Sequence, residues 1–257
     1  MILTIHIFLS IFLIFSTLTV HAEDCQKAIE LYNKGTLSND PTEKEAFFKE
    51  AIPLCSNPEA LSRIYNNLAD LYENKKEFSR ALVYYRKAIE TKNDLTTAYI
   101  SVGDIFFKLG DFYSAFIMYS KGLKYRPEDE EALKGRMNSE EGFKKKMIIY
   151  FDLDSSKISD LYLYRLQLIG ESIKSNPAKL KVEVVGYTCD LGSKAYNMKL
   201  SKRRADVVVQ YLKDKYLSDE GMIMVIGKGK ENPLLPNRDE EGRILNRRVE
   251  IKIMELY

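Results

Sequence analysis

Hydrophobic and polar positions change rhythm twice along the chain. Residues Met1–Val20 carry no Lys, Arg, Asp or Glu, and Ile7–Val20 is apolar apart from a few Ser and Thr. The run ends at Val20-His21-Ala22, with small residues where a signal peptidase reads, and Glu23-Asp24 then opens a polar chain. This predicts a secretory signal peptide over residues 1–22, cleaved after Ala22. The alternative is an uncleaved anchor, because the run approaches the ~20 residues a span requires. From there to about residue 140 the apolar positions follow helical spacing. Beyond it they alternate between helical spacing and period two, in the order strand, helix, strand, helix, strand, strand. The expected strands are Lys146–Phe151, Leu180–Gly186, Met222–Ile226 and Val249–Ile253. The expected helices are Ser159–Ser175 and Lys194–Lys215, and a polar loop with Pro233, Pro236 and Gly242 joins the last two strands.

The helical half repeats itself. Tyr65-x-x-Leu68-Ala69-x-x-Tyr72 returns as Tyr99-x-x-Val102-Gly103-x-x-Phe106, and Ala81, Tyr85 and Ala88 return as Ala115, Tyr119 and Gly122. A fixed offset of this kind marks a helical-hairpin repeat whose small residues let helices approach and whose aromatics fill the gaps. The pattern over Ser62–Asp129 resembles the tetratricopeptide repeat, which implies a concave surface for a protein partner. Upstream, Cys25–Asn33 and Pro41–Cys55 read as a third, degenerate pair that starts at Asp40-Pro41-Thr42-Glu43. An antiparallel hairpin there would set Cys25 beside Cys55, and export would allow them to bond. The other reading leaves all three cysteines free. The acidic stretch Glu128–Glu131 is expected to cap the repeats, with the join to the second half near Gly135–Gly142.

Composition narrows the chemistry. Both histidines, His6 and His21, fall in the expected signal, so the mature chain would lack an imidazole base for a Ser-His-Asp or Cys-His nucleophile. Cys25, Cys55 and Cys189 are too scattered for a Cys-x-x-Cys metal pair. A net charge of +2 does not suit a general nucleic-acid binder. The balance is uneven: residues 23–140 hold 17 basic and 20 acidic side chains, residues 141–257 hold 22 and 17. A binding protein is expected, not an enzyme, with no cofactor, no metal and no transmembrane segment in the mature chain.

Four segments then fall in order: Phe151-Asp152-Leu153-Asp154-Ser155-Ser156-Lys157-Ile158; Val185-Gly186-Tyr187-Thr188-Cys189-Asp190-Leu191-Gly192-Ser193; Asn197-Met198-Lys199-Leu200-Ser201-Lys202-Arg203-Arg204-Ala205; and Asn246-Arg247-Arg248-Val249-Glu250-Ile251. Together they resemble the OmpA C-terminal domain, shared with peptidoglycan-associated lipoproteins and MotB-type stator proteins. The expected organisation is an all-α tetratricopeptide-like repeat region over residues 23–138, then an α/β OmpA-like sandwich over 146–257, a mixed sheet with helices on one face. The resemblance implies non-covalent binding of peptidoglycan through the diaminopimelate of its stem peptide, in the periplasm, at the cell wall or outer membrane. A rival reading is an envelope-assembly or motility adaptor whose OmpA-like domain does not bind peptidoglycan tightly.

Residue chemistry gives the expected site. Asn197, Ser201 and Arg204 share one face of the long helix, beside an apolar stripe of Tyr196, Leu200, Val207 and Tyr211 meant for the core. The helix N-terminus near Ser193 is a ready anion site. Arg204 suits the carboxylate of diaminopimelate. Arg248, Asp154 and Asn197 match other groove positions of the family, so the resemblance implies that they line the groove, with Thr188, Asp190 and Ser201 expected beside them. One position departs from the family pattern. The acid that follows the Gly-aromatic-Thr triplet, and would face the ligand ammonium, is here Cys189, with Asp190 one residue on. A thiol is a weak acceptor and uncharged near neutral pH. Either Asp190 takes the role, or Thr188 and backbone carbonyls suffice with weaker binding, or the ligand differs.

Overall fold

The computed structural model describes residues 25–175, 180–216 and 223–255. The expected signal peptide lies outside them. Among the described residues no helix is long and apolar enough to cross a membrane. The chain divides into two compact units, one through Ala98 and one from Tyr99.

The first unit is helical. Helix α1 covers residues 25–37. Helix α2 (Pro41–Ala51) starts as its sequence demands, with the Asp40 side chain accepting from Thr42 N–H and Pro41 in the first turn. Helices α3 (Pro58–Asn74) and α4 (Phe78–Thr91) form the first repeat. Their shared interior holds Ile64, Leu68, Ala69, Tyr72, Ala81, Leu82, Tyr85 and Ala88, all buried. Cys25 and Cys55 are disulfide-bonded, their Cα atoms 4.4 Å apart. The bond closes a separation of 30 residues. In the chain-entropy model such a loop contributes roughly 3–4 kcal/mol by restricting the unfolded state.

The second repeat is α5 (Thr96–Lys108), within whose first turn the second unit begins, and α6 (Phe112–Tyr125), followed by α7 (Glu130–Lys145). The 34-residue offset extends to a polar contact. Tyr85 Oη donates to Asp70 at 2.6 Å, and Tyr119 Oη donates to Asp104 at 2.5 Å. The join expected near Gly135–Gly142 is not a linker. Helix α7 runs through both glycines, which press against the rings of Tyr119 and Phe112, and Lys146 then begins the first strand without a break.

Strands β1 (Lys146–Tyr150), β2 (Leu180–Gly186), β3 (Ile223–Gly227) and β4 (Arg248–Glu255) form one sheet in the order β1-β4-β2-β3. Strand β4 is antiparallel to both neighbours, and β2 runs parallel to β3. The sheet is mixed, as expected. Helices α8 (Leu163–Ser175) and α9 (Lys194–Tyr216) bury a common core with Met147, Ile149, Val182, Val184, Val249 and Ile251. These are alternate positions of β1, β2 and β4, so period two sends one face of each strand into the core. The loop expected between the last two strands carries a short helix, α10 (Glu240–Asn246), capped by Asp239 accepting from Gly242 N–H. Seven residues are too few for a hydrophobic period to show in the sequence.

Candidate functional site

The site gathers where three chain segments meet the start of α9. The turn after β1 supplies Leu153 and Asp154, the loop after β2 supplies Thr188, Cys189, Leu191 and Gly192, and α9 supplies Tyr196, Asn197, Leu200 and Arg204. They line a groove of about 250 Å³, which Arg247 completes.

Arg204 forms its floor. The side chain is 0% exposed. Its Nε donates to Ser155 O at 2.7 Å, Nη1 to Tyr187 O at 3.1 Å and Nη2 to Asp152 O at 2.9 Å. A guanidinium carries five N–H groups, so one on each Nη remains. Its ion-pair partners are the notable gap: no carboxylate among the described residues lies within salt-bridge distance of it. The guanidinium also lies 5.2 Å from the centre of the Phe151 ring. Burial lowers its pKa to about 10, with Cys189 and Asp154 opposing and Arg247 adding to the shift. It is therefore a cation at neutral pH, desolvated and without a counter-charge. Such a group is costly until an anion meets it.

The other expected residues separate into two sets. Thr188 and Asn197 line the groove and are buried. The Asn197 amide donates to Leu191 O at 2.9 Å and so closes the loop after β2. Thr188 N–H donates to Gly229 O at 2.7 Å, whereas its buried Oγ1 has no partner. Asp154 lines the rim in a left-handed conformation, φ 57°. Ser201, Asp190 and Arg248 do not line the groove. Ser201 Oγ donates to Met198 O and accepts from Gly229 N–H at 2.8 Å, which ties the end of β3 to α9. Asp190 turns outward to Arg243, Oδ1 to Nε 3.1 Å. Arg248 lies 3.9 Å from the Tyr187 ring centre and pairs with Glu250 at 2.8 Å.

Arg247 occupies the place expected for Arg248. Successive residues at a strand end point to opposite faces. Arg248 therefore falls on the face of Glu250, and Arg247 on the loop side, where Nε donates to Phe151 O at 3.2 Å and Nη1 pairs with Glu240 at 2.9 Å. The face of α9 expected to border the groove as a polar stripe is instead buried. Asn197, Ser201 and Arg204 bond to loop backbone groups there, Leu200 is buried, and Val207 and Tyr211 pack at the edge of a core that Ala205, Val208, Val209 and Leu212 enter fully. Tyr196 is 39% exposed and forms a groove wall. At the N-terminus of α9, Ser193 Oγ accepts from Tyr196 N–H at 3.2 Å. Among the described residues no cluster of three or more His, Cys, Asp or Glu is arranged to hold a metal ion.

Comparison with known proteins fits this geometry. Residues 150–247 match the OmpA family, and residues 62–95 and 96–129 each match the tetratricopeptide repeat. The peptidoglycan-associated lipoprotein of Pseudomonas aeruginosa is 31% identical over 121 residues, which cover 47% of this chain and 70% of that protein. The chain belongs to the OmpA family. Outer membrane protein A of Bordetella avium is 40% identical over 105 residues, and outer membrane porin F of P. aeruginosa 34% over the same length. Those matches take up 41% of this chain but only 53% and 30% of the two relatives. The OmpA-family match begins at the last residue of β1 and ends at Arg247, so it encloses every groove-lining residue.

Proposed function

We propose that this OmpA-family chain binds peptidoglycan without catalysis, holding the diaminopimelate of a stem peptide in the groove over Arg204. One observation carries the reading: Arg204 is a fully buried cation with no carboxylate partner, held by three backbone carbonyls at the floor of a groove. A ligand carboxylate would supply the missing counter-charge through the two remaining N–H groups. A charge-assisted bond of this kind is worth roughly 1.5–3 kcal/mol. The ligand reaches it past Leu153, Leu191 and Tyr196, exposed rim side chains that can move aside. Arg247 adds a second cation and Asp154 a single carboxylate. The names of relatives support the ligand class: one is a peptidoglycan-associated lipoprotein, another a peptidoglycan-binding protein of Mycobacterium tuberculosis, 36% identical over 88 residues. In the same reading the chain is exported, works in the periplasm at the cell wall or outer membrane, and recruits a protein partner through its tetratricopeptide repeats.

Co-sedimentation with purified sacculi tests the groove, using wild type, Arg204→Ala and Arg247→Ala. Wild type is expected to pellet, to be displaced by free diaminopimelate, and to weaken in both variants. A folded wild type that stays in the supernatant would favour an adaptor role, in which the domain docks to protein without gripping the wall. The outward turn of Asp190 toward Arg243 is the observation on that side.

A further inference from the structure

Cys189 stands in the groove wall, at the position where the family resemblance leads an acid to be expected. It is a free thiol, 3% exposed, and it lines the groove beside Arg204 and Thr188. The nearest acid in sequence, Asp190, is committed to Arg243 on the outside. The one carboxylate that lines the groove is Asp154, an exposed rim residue on the turn after β1. Independently of the cysteine, the buried and partnerless Thr188 Oγ1 marks this wall as ligand-facing, since such an atom is costly until something bonds to it. The walls hold two cations and one exposed carboxylate, and the rest is apolar or neutral: Leu153, Leu191, Tyr196, Leu200 and Cys189.

We infer that Cys189 sets ligand specificity, making the groove read the carboxylate of the diaminopimelate end while ignoring the state of its amine. This rests on the carboxylate reading of Arg204 given above. A buried carboxylate at position 189 would demand an ammonium opposite it. If that amine were acylated, the carboxylate would lose the ligand's charge and keep only Arg204, which the ligand carboxylate also needs, and the ligand would be held less well. A thiol imposes no such demand, because it is only a weak donor and acceptor. The rim carboxylate of Asp154 is solvated, and exposed pairs of this kind discriminate little. The groove therefore accepts two classes of stem peptide: free ones, whose far amine is an ammonium, and cross-linked ones, whose far amine is an amide. A site carrying the acid would hold only the first class well. Specificity has been widened by removing a repulsive element, with no new contact added.

The test is calorimetric titration of the full chain with two probes. One is a stem tripeptide ending in diaminopimelate, and the other is the same peptide acetylated on its far amine. Wild type is expected to bind both with dissociation constants within threefold of each other. Cys189→Asp is expected to bind the free-amine peptide at least tenfold more tightly than the acetylated one. A wild-type loss greater than threefold on acetylation overturns the inference and returns the amine to Asp154 or Asp190, while leaving the Arg204 reading intact. Equal binding of both peptides by a folded Cys189→Asp also overturns it. If neither peptide binds wild type, the Arg204 reading fails and this one fails with it. The wild-type comparison stands even if the variant does not fold.

Discussion

Arg165 of α8 donates to Asp111, the N-cap of α6, with Nη1 3.3 Å from Oδ1. Both are withdrawn from water, with side-chain exposures of 11% and 0%. The same guanidinium reaches Ile148 O at 3.0 Å and Ser114 Oγ at 3.0 Å, and lies 4.6 Å from the Tyr113 ring centre. One side chain thus binds the turn of the second repeat to the first strand of the sheet. Removing it leaves Asp111 buried without a counter-charge, beside Ser114 and the Tyr150 hydroxyl, and breaking a buried pair from one side costs about 3–5 kcal/mol. Arg165→Met is expected to lower the local stability of α6 by about 3 kcal/mol, read as faster amide exchange in its first turn. Adding Asp111→Asn, which keeps the cap acceptor but removes the charge, should recover part of that loss. Additive effects of the two substitutions would show that they do not interact.

Thr188 offers an opposite sign. Its buried Oγ1 has no partner in the free protein, and an unsatisfied buried hydroxyl costs about 1–3 kcal/mol. Thr188→Val keeps the shape and removes the unmet group. The variant is expected to be about 1 kcal/mol more stable in thermal unfolding, yet weaker in co-sedimentation with sacculi. A gain in stability with unchanged co-sedimentation would remove Thr188 from the site.

Acid should loosen the face of the sheet that carries Arg248. Burial alone would raise the pKa of Glu250, but Arg248, Lys146 and Lys252 outweigh it and hold the carboxyl below its ordinary value. A depressed folded pKa means stability that is fully present above the unfolded value, about 4.3, and is lost as pH falls through the lower folded value. Denaturation midpoints measured from pH 7 down to pH 3 should fall for wild type. Glu250→Gln should begin lower, because Arg248 loses its partner, and should change less over the same range.

Much of this was legible in the chain, for reasons that also mark where legibility ends. The repeat was visible because Tyr65, Ala81 and Tyr85 each have a counterpart 34 residues on, and packing between helices depends on side-chain size, which sequence records. Arg204 was visible because it shares a helix face with Asn197. Its partners were not. They are the carbonyls of Asp152, Ser155 and Tyr187, and a backbone carbonyl has no residue-type signature. The choice between Arg247 and Arg248 turned on one residue of strand parity, finer than a strand boundary read from sequence. Helix α10 stayed hidden inside a polar loop. Asn246 at its end holds Leu234 and Leu235 through their backbone groups, contacts that no apolar period announces.

The closest backbone approach in the site makes the last prediction. Gly186 ends β2 against α9, and a Cβ there would fall 1.9 Å from the carbonyl oxygen of Ser201. That neighbour is helix backbone and cannot rotate away. Relief requires β2 and α9 to separate, which would draw Tyr187 O from Arg204 Nη1 and move Thr188 and Cys189 with it. Gly186→Ala is therefore expected to cost about 3 kcal/mol, the upper end for overpacking, and to weaken sacculus binding as well. Gly229 is the control. It has φ 56°, and its Cβ would meet the backbone N of Met198 at 3.3 Å, tight but far short of the overlap at Gly186, so Gly229→Ala should cost about 1–2 kcal/mol. Chemical denaturation of the two variants side by side checks the order. If Gly186→Ala proved the milder, the strand and helix would not be in the tight contact on which the floor of the groove depends.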